Sequence, residues 1–165
     1  KAANGVYIKP DDDPTAFTNL KYTYFSDIAS SHAGLNEIEK ATNALKEARS
    51  AVDAMLIKDK DDRTAQLRVL ALARIEQTIL LKQGRTVEAL RSVEAAKVSI
   101  ARLSDEDPTN IEKTVYGMFF CQRAAKIYVS GRDDAMIKQN QIELDKYVEI
   151  IHRKYGTEIK LTAYF

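Results

Sequence analysis

Several residue types that support particular chemistries are scarce in this chain of 165 residues. Its single cysteine, Cys121, excludes an intramolecular disulfide, a two-thiol redox motif and a cysteine-rich zinc site. Six glycines and three prolines leave little material for the turns of an all-β fold. No stretch approaches the roughly 18 consecutive apolar residues of a membrane-spanning helix, so the sequence predicts no transmembrane segment.

The remaining composition is typical of a folded helical domain. Hydrophobic residues make up 45% of the chain and charged residues 30%, which is enough apolar surface for a core and too mixed for disorder. Alanine, leucine, isoleucine, lysine, glutamate and arginine dominate, and these residues favour helices. The length corresponds to about one domain. We therefore predict an all-α fold.

Apolar residues recur at steps of three and four along most of the chain, as in helices that bury one face. Asp13 followed by Pro14 marks the start of the first helix, and Gly156 ends the last. Six helices are predicted, beginning near Pro14, Ile38, Thr64, Thr86 (as a cap), Ile111 and Asp133. Residues 1–13 are interpreted as an irregular arm, 14–156 as a helical-repeat domain, and 157–165, with alternating apolar residues, as a strand-like tail.

Glycines divide these helices into three pairs. Gly34, Gly84 and Gly131 lie 50 and 47 residues apart, each between two predicted helices. A spacing in this range is typical of helical-repeat arrays. One hairpin of two helices cannot bury its apolar face alone, whereas stacked hairpins share a continuous core. The spacing predicts three stacked antiparallel hairpins, and a plain six-helix bundle is the alternative.

Residues 80–110 resemble a tetratricopeptide repeat. The matching features are Leu80 before the turn, Gly84 at the turn, Ala89 and Ala96 seven residues apart, and an Asp-Pro pair at the end. The second helix of each hairpin is about two turns longer than the family's repeat allows. The resemblance implies a right-handed array over residues 14–155.

The same resemblance implies a concave groove, lined by the first helix of each hairpin, that binds an extended peptide or a partner's helix. Tyr24 and Ile28 stand where chaperone-binding members hold a terminal carboxylate with lysine and asparagine, which argues against that function. The positions that would face the groove are Lys21, Tyr24, Ser31 and His32 in the first hairpin, Arg74, Thr78 and Lys82 in the second, and Cys121, Tyr128 and Val129 in the third.

Charge is distributed unevenly although the net charge is only +1. Residues 63–103 contain eight basic and three acidic side chains. This excess favours a protein partner with an acidic segment. The alternative is that the arginine stems cover apolar surface on solvated helix faces. Nucleic-acid binding is not expected, because a nearly neutral chain offers few phosphate contacts and carries no nucleic-acid-binding motif.

No constellation that performs chemistry is recognisable. Asp59, Asp61 and Asp62 resemble part of a calcium loop, but Leu70 stands where the bidentate glutamate is needed, so we predict an interhelix turn. His32 and His152 are too far apart for a short metal-binding motif. We expect no enzymatic activity, cofactor or metal, and we expect Cys121 to be buried and inert.

These observations favour a non-enzymatic protein–protein interaction module, an adaptor or assembly factor. A structural or sensory bundle without a groove, in the form of a homodimer, is the alternative, and an enzyme that uses a bound ligand is a third.

Two further features of the sequence each fit two roles. The aromatic cluster of Tyr116, Phe119, Phe120 and Tyr128 fits core packing or a peptide-anchoring pocket. The tail fits pairing with the arm or with another molecule. A cytoplasmic location is favoured, while export after removal of an N-terminal segment stays open.

Overall fold

The computed structural model of the chain describes residues 13–106 and 111–156. Within these ranges the chain is helical with short turns and contains no strand, which confirms the all-α prediction. The strand-like tail predicted at 157–165, and the predicted arm apart from Asp13, lie outside the described residues. The helices are α1 (Pro14–Gly34), α2 (Ile38–Lys58), α3 (Arg63–Lys82), α4 (Thr86–Glu106), α5 (Ile111–Gly131) and α6 (Asp134–Tyr155).

Aspartate side chains set the first residue of three helices. Asp13 accepts a hydrogen bond from Ala16 N at 2.8 Å, as the sequence predicts for the start of α1. Asp62 and Asp133 cap α3 and α6 in the same way. The prediction that Thr86 caps α4 is wrong by one position. Thr86 is the first helical residue, and the carbonyl of Arg85 before it accepts from Ala89 N.

Two of the three glycines that mark the predicted turns do not themselves make the turn. Gly84 adopts a left-handed conformation, with φ at 73°. Gly34 and Gly131 are instead the last residues of α1 and α5, and positive φ falls on Asn36 and Arg132 just beyond them. The chain therefore reverses one or two residues later than the glycines indicate.

The chain divides into two compact units, Lys1–Gln83 and Gly84–Phe165. In the first unit α1 packs against α2, and α3 packs against both. In the second unit α5 packs against α4 and α6. The predicted hairpin around Gly84 spans the boundary between the units. Across the described helices, none combines the length and apolar character needed to cross a membrane.

The two units have differently built cores. Small side chains dominate the core of the first unit, where Tyr22, Phe25 and Met55 cover its edge. The second unit buries the Phe120 ring completely. There Gly117 allows α6 to approach α5, because a Cβ at this position would lie 2.4 Å from the Tyr147 ring. The alanines in the core of the first unit are Ala29, Ala33, Ala41, Ala44, Ala48 and Ala65.

Candidate functional site

Helices α1 and α3 of the first unit lie side by side and run parallel. Near the start of both helices, Arg68 Nη1 donates to Asn19 Oδ1 at 2.5 Å. At the other end, Lys82 Nζ donates to the Gly34 carbonyl at 3.0 Å. The two contacts are about 20 Å apart along each helix, since each residue adds about 1.5 Å to the length of a helix. The helices therefore keep one register over about four turns.

Arg68 and Lys82 of α3 lie at this boundary, and Arg74 lies between them on the exposed side of α3. We call these three cations the basic strip. The Arg68 guanidinium is half-buried and lies 4.5 Å from the centre of the Tyr22 ring. Arg74 and Lys82 are exposed. Burial raises the pKa of Tyr22 on α1, whereas the charges of Arg68 and, to a lesser extent, Arg74 act to lower it.

The three residues predicted on α3 lie at intervals of four and share the side of the helix that borders α1. Thr78 Oγ1 donates to the Arg74 carbonyl, one turn earlier in the helix. The structure adds Arg68, which belongs to the basic segment recognised in the sequence but not to the predicted groove. Arg68 belongs to the basic strip because it contacts Asn19, which lies 49 positions earlier in the chain.

The residues predicted on α1 do not join the basic strip. Lys21 Nζ lies 2.9 Å from Glu47 Oε2, so Lys21 is directed toward α2. Tyr24 and Ser31 are exposed. Tyr22 faces α3, and positions two residues apart differ by about 200° around a helix, so Tyr24 lies on the outer face of α1, as does Ser31. His32 Nδ1 contacts Glu37 at the end of α1.

Glu37 binds two basic groups at the turn between α1 and α2. Lys40 Nζ lies 2.9 Å from Glu37 Oε1, and His32 contacts the other carboxylate oxygen. Hydrogen bonds from Lys40 and then His32 lower the pKa of Glu37. The His32 imidazole thus has an acidic neighbour that stabilises the turn, and the structure assigns it no other role.

Tyr128, predicted to face a partner, is buried in the second unit. Its hydroxyl donates to Glu94 Oε1 at 2.7 Å. The same carboxylate lies 3.4 Å from Lys97 Nζ, which is 2.7 Å from Glu143 Oε2 and 3.3 Å from Asn140 Oδ1. This network joins α4, α5 and α6 and leaves no Tyr128 surface for a partner.

The other two residues predicted in the third hairpin differ from each other. Cys121 is fully buried, as predicted, and desolvation raises the pKa of its thiol to about 12. Its carbonyl accepts from Asn140 Nδ2 at 2.6 Å. Val129 is 60% exposed. The aromatic cluster packs in the core around Phe120, with the Phe119 and Phe120 rings 5.4 Å apart.

The aspartates between α2 and α3 form the predicted interhelix turn. Asp59 Oδ1 accepts from the Asp61 amide, and Asp62 Oδ1 accepts from Ala65 N. The carboxylates hold backbone amides, as in an Asx turn and a helix cap. Within residues 13–106 and 111–156, no three histidine, cysteine, aspartate or glutamate side chains group closely enough to hold a metal ion.

Comparison of this chain with protein-family models, with curated proteins and with solved structures finds no match. The resemblance to a tetratricopeptide repeat therefore stays a prediction from the sequence.

Proposed function

We propose that the chain is a protein–protein interaction module, an adaptor or assembly factor, whose first unit binds an acidic segment of a partner protein along the basic strip. The observation that carries this proposal is the parallel packing of α1 and α3, which places Arg68 and Lys82 at the boundary of the two helices, with Arg74 exposed on α3 between them. No chemical step is involved, and recognition is electrostatic.

The spacing of the strip suits an extended peptide. Arg68 and Arg74 are separated by about 9 Å along the helix axis, and Arg74 and Lys82 by about 12 Å. An extended chain advances about 3.3 Å per residue, so these axial intervals correspond to about three and four residues of an extended peptide. Exposed pairs contribute about 0.2–1 kcal/mol each, so binding needs several of them at once and weakens as salt increases.

The tetratricopeptide resemblance agrees with this choice of face. If α1 and α3 are the first helices of consecutive hairpins, the resemblance implies that their shared face is the concave one. Three of the residues that it assigns to the groove, Arg74, Thr78 and Lys82, lie on that side of α3. A partner helix with acidic residues on one face would meet the same cations.

Selection from a library of random displayed peptides tests the proposal without a known partner. The full chain should enrich peptides with acidic residues three or four apart. A chain carrying Arg74→Glu and Lys82→Glu should lose this enrichment, because the charge of the strip is reversed. Arg91→Glu with Lys126→Glu is the matched control, since both residues are exposed in the second unit.

Two results would contradict the proposal. Enrichment without any acidic preference would mean that the strip does not select partners, and equal enrichment by both double variants would place binding elsewhere. If the chain also had twice its expected mass at micromolar concentration, the structural homodimer predicted as the alternative would replace the interaction module.

A further inference from the structure

The first unit has a cleft of about 590 Å³ where α1 and α3 begin and α2 ends. Ala54 and Met55 of α2 supply apolar surface in it. Lys58, Asp59, Asp62 and Arg68 supply charged groups. The volume lies within the range of about 300–1,000 Å³ that is usual for small-molecule sites.

Both cations in this cleft are held by neutral acceptors. Lys58 Nζ donates to Thr15 Oγ1 at 3.2 Å. Arg68 Nη1 donates to Asn19 Oδ1 and lies 3.0 Å from Met55 Sδ. In the part of the chain that the structure describes, neither cation forms a salt bridge. A guanidinium has five N–H donors and an ammonium three, so both groups keep donors for a ligand.

The two carboxylates in the cleft already have backbone partners. Asp62 caps α3, where the positive end of the helix dipole compensates its charge. Asp59 binds the Asp61 amide within the turn. The backbone thus holds both carboxylates in place, and the two cations are the groups in the cleft that would bind an anionic ligand.

We propose that this cleft binds a small organic dianion, with its oxyanion groups on Arg68 and Lys58 and an apolar body against Met55 and Ala54. Phosphate monoesters and dicarboxylates share this chemistry, and both planar guanidinium and ammonium groups bind such oxyanions. The cleft shares Arg68 with the basic strip, but the proposal does not rest on the peptide-binding function, because Lys58 and Met55 lie outside the strip and Lys82 lies outside the cleft.

The methionines provide a direct test in the full chain. The chain has three, Met55 in the cleft and Met118 and Met136 in the second unit, so methyl-¹³C labelling gives one signal at the site and two internal references. Titration with phenyl phosphate and, separately, with phenylsuccinate should move the Met55 methyl signal to saturation. Phenol, which lacks the dianion, and inorganic phosphate, which lacks the apolar body, should bind at least tenfold more weakly.

The two ligands distinguish the sources of the dianion. A response to phenyl phosphate alone identifies a phosphate monoester, a response to phenylsuccinate alone identifies a dicarboxylate, and either result supports the site. No saturable shift of Met55 with either ligand overturns the proposal. Equal shifts of all three methyl signals also overturn it, because they would show non-specific binding.

Substitutions assign the binding to the two cations. Lys58→Gln should weaken phenyl phosphate or phenylsuccinate binding about threefold to fivefold and Arg68→Gln should weaken it at least tenfold. Arg68→Lys should restore part of the binding, and Lys82→Gln should leave it unchanged. If Arg68→Gln unfolds the first unit, Lys58→Gln decides alone, because Lys58 is exposed. Unchanged affinity in Lys58→Gln overturns the proposal. Loss of acidic-peptide enrichment would leave this result unaffected.

Discussion

Two positively charged side chains, one in each unit, lie in opposite environments. In the first unit, Lys82 is exposed and donates to the Gly34 carbonyl of the neighbouring helix. In the second, Lys97 is only 8% exposed and contacts Glu143 and Asn140 of α6. A cation on the surface keeps its capacity for an outside partner, whereas a buried one stabilises the fold. The number of basic residues in a segment therefore does not show how many can bind a partner.

The cores differ in a related way. Small apolar side chains dominate the core of the first unit, which also buries the Ser26 and Gln77 side chains. The second unit carries a polar network through its interior, and Asn140 is 2% exposed. Buried polar groups are costly unless each finds a partner, so such a network makes the packing depend on every member. We expect the second unit to be the more sensitive of the two to single substitutions.

The largest effect is expected for Lys97→Ala, which should lower the free energy of unfolding of the second unit by about 2–3 kcal/mol. Removal of one partner from a buried ion pair costs about 3–5 kcal/mol, and the partial exposure of Glu94 and Glu143 reduces this. Lys97→Met, which keeps the volume, should cost less than Lys97→Ala. Urea unfolding measures both. Equal losses would show that the lost charge and not the lost volume sets the cost, and no loss in either variant would contradict the network.

Gly117→Ala should destabilise the second unit by about 1–2 kcal/mol, because the added methyl group overlaps the Tyr147 ring. Gly34→Ala in the first unit is the matched control. An added Cβ there meets no atom within 4 Å, so stability should stay unchanged or rise by about 0.5 kcal/mol. Thermal unfolding of both variants gives the comparison. A loss in Gly34→Ala as large as in Gly117→Ala would contradict the close approach of α5 and α6.

Alkaline pH should weaken the second unit through Cys121. Burial raises the pKa of its thiol from 9.0 to about 12, so the native state favours the protonated form. The stability from this group is complete below pH 9 and is lost as pH rises toward 12. From pH 8 to 10 the loss is about 1 kcal/mol, and Cys121→Ala should remove this part of the pH dependence. Urea unfolding measures it, and rapid labelling of the native thiol at pH 8 would contradict the burial.

The smallest effect is expected for Lys21→Gln in the first unit. The Lys21–Glu47 pair lies at the surface, where such pairs contribute little to stability. A hydrogen bond from Lys21 holds the pKa of Glu47 below its usual value, so the pair stabilises the fold above about pH 4.5 and loses this effect as the pH falls. The variant should return the Glu47 pKa toward 4.5 in an NMR titration. An unchanged pKa would mean that the pair is absent in solution.

Local sequence patterns were sufficient to predict the helices. They were not sufficient to predict contacts between positions far apart in the chain. Asp13–Pro14 and Gly156 marked helix ends because capping is a local interaction. The burial of Lys97 had a sequence signal, since it lies four residues after Val93 and three before Ile100 on the apolar face of α4. No comparable signal existed for the contact of Arg68 with Asn19, which only the packing of α3 against α1 creates.

Reversal of the charges on the basic strip and on a bound peptide tests the central claim most directly. Fluorescence anisotropy would measure the affinity of one selected acidic peptide, and of a copy with lysine at its acidic positions, for the natural chain and for Arg74→Glu with Lys82→Glu. We predict that the natural chain binds the acidic peptide more weakly as the salt concentration rises. The double variant should bind the acidic peptide at least tenfold more weakly than the natural chain and should bind the lysine copy more tightly than the natural chain does. Equal affinity of both chains for the acidic peptide would contradict the account.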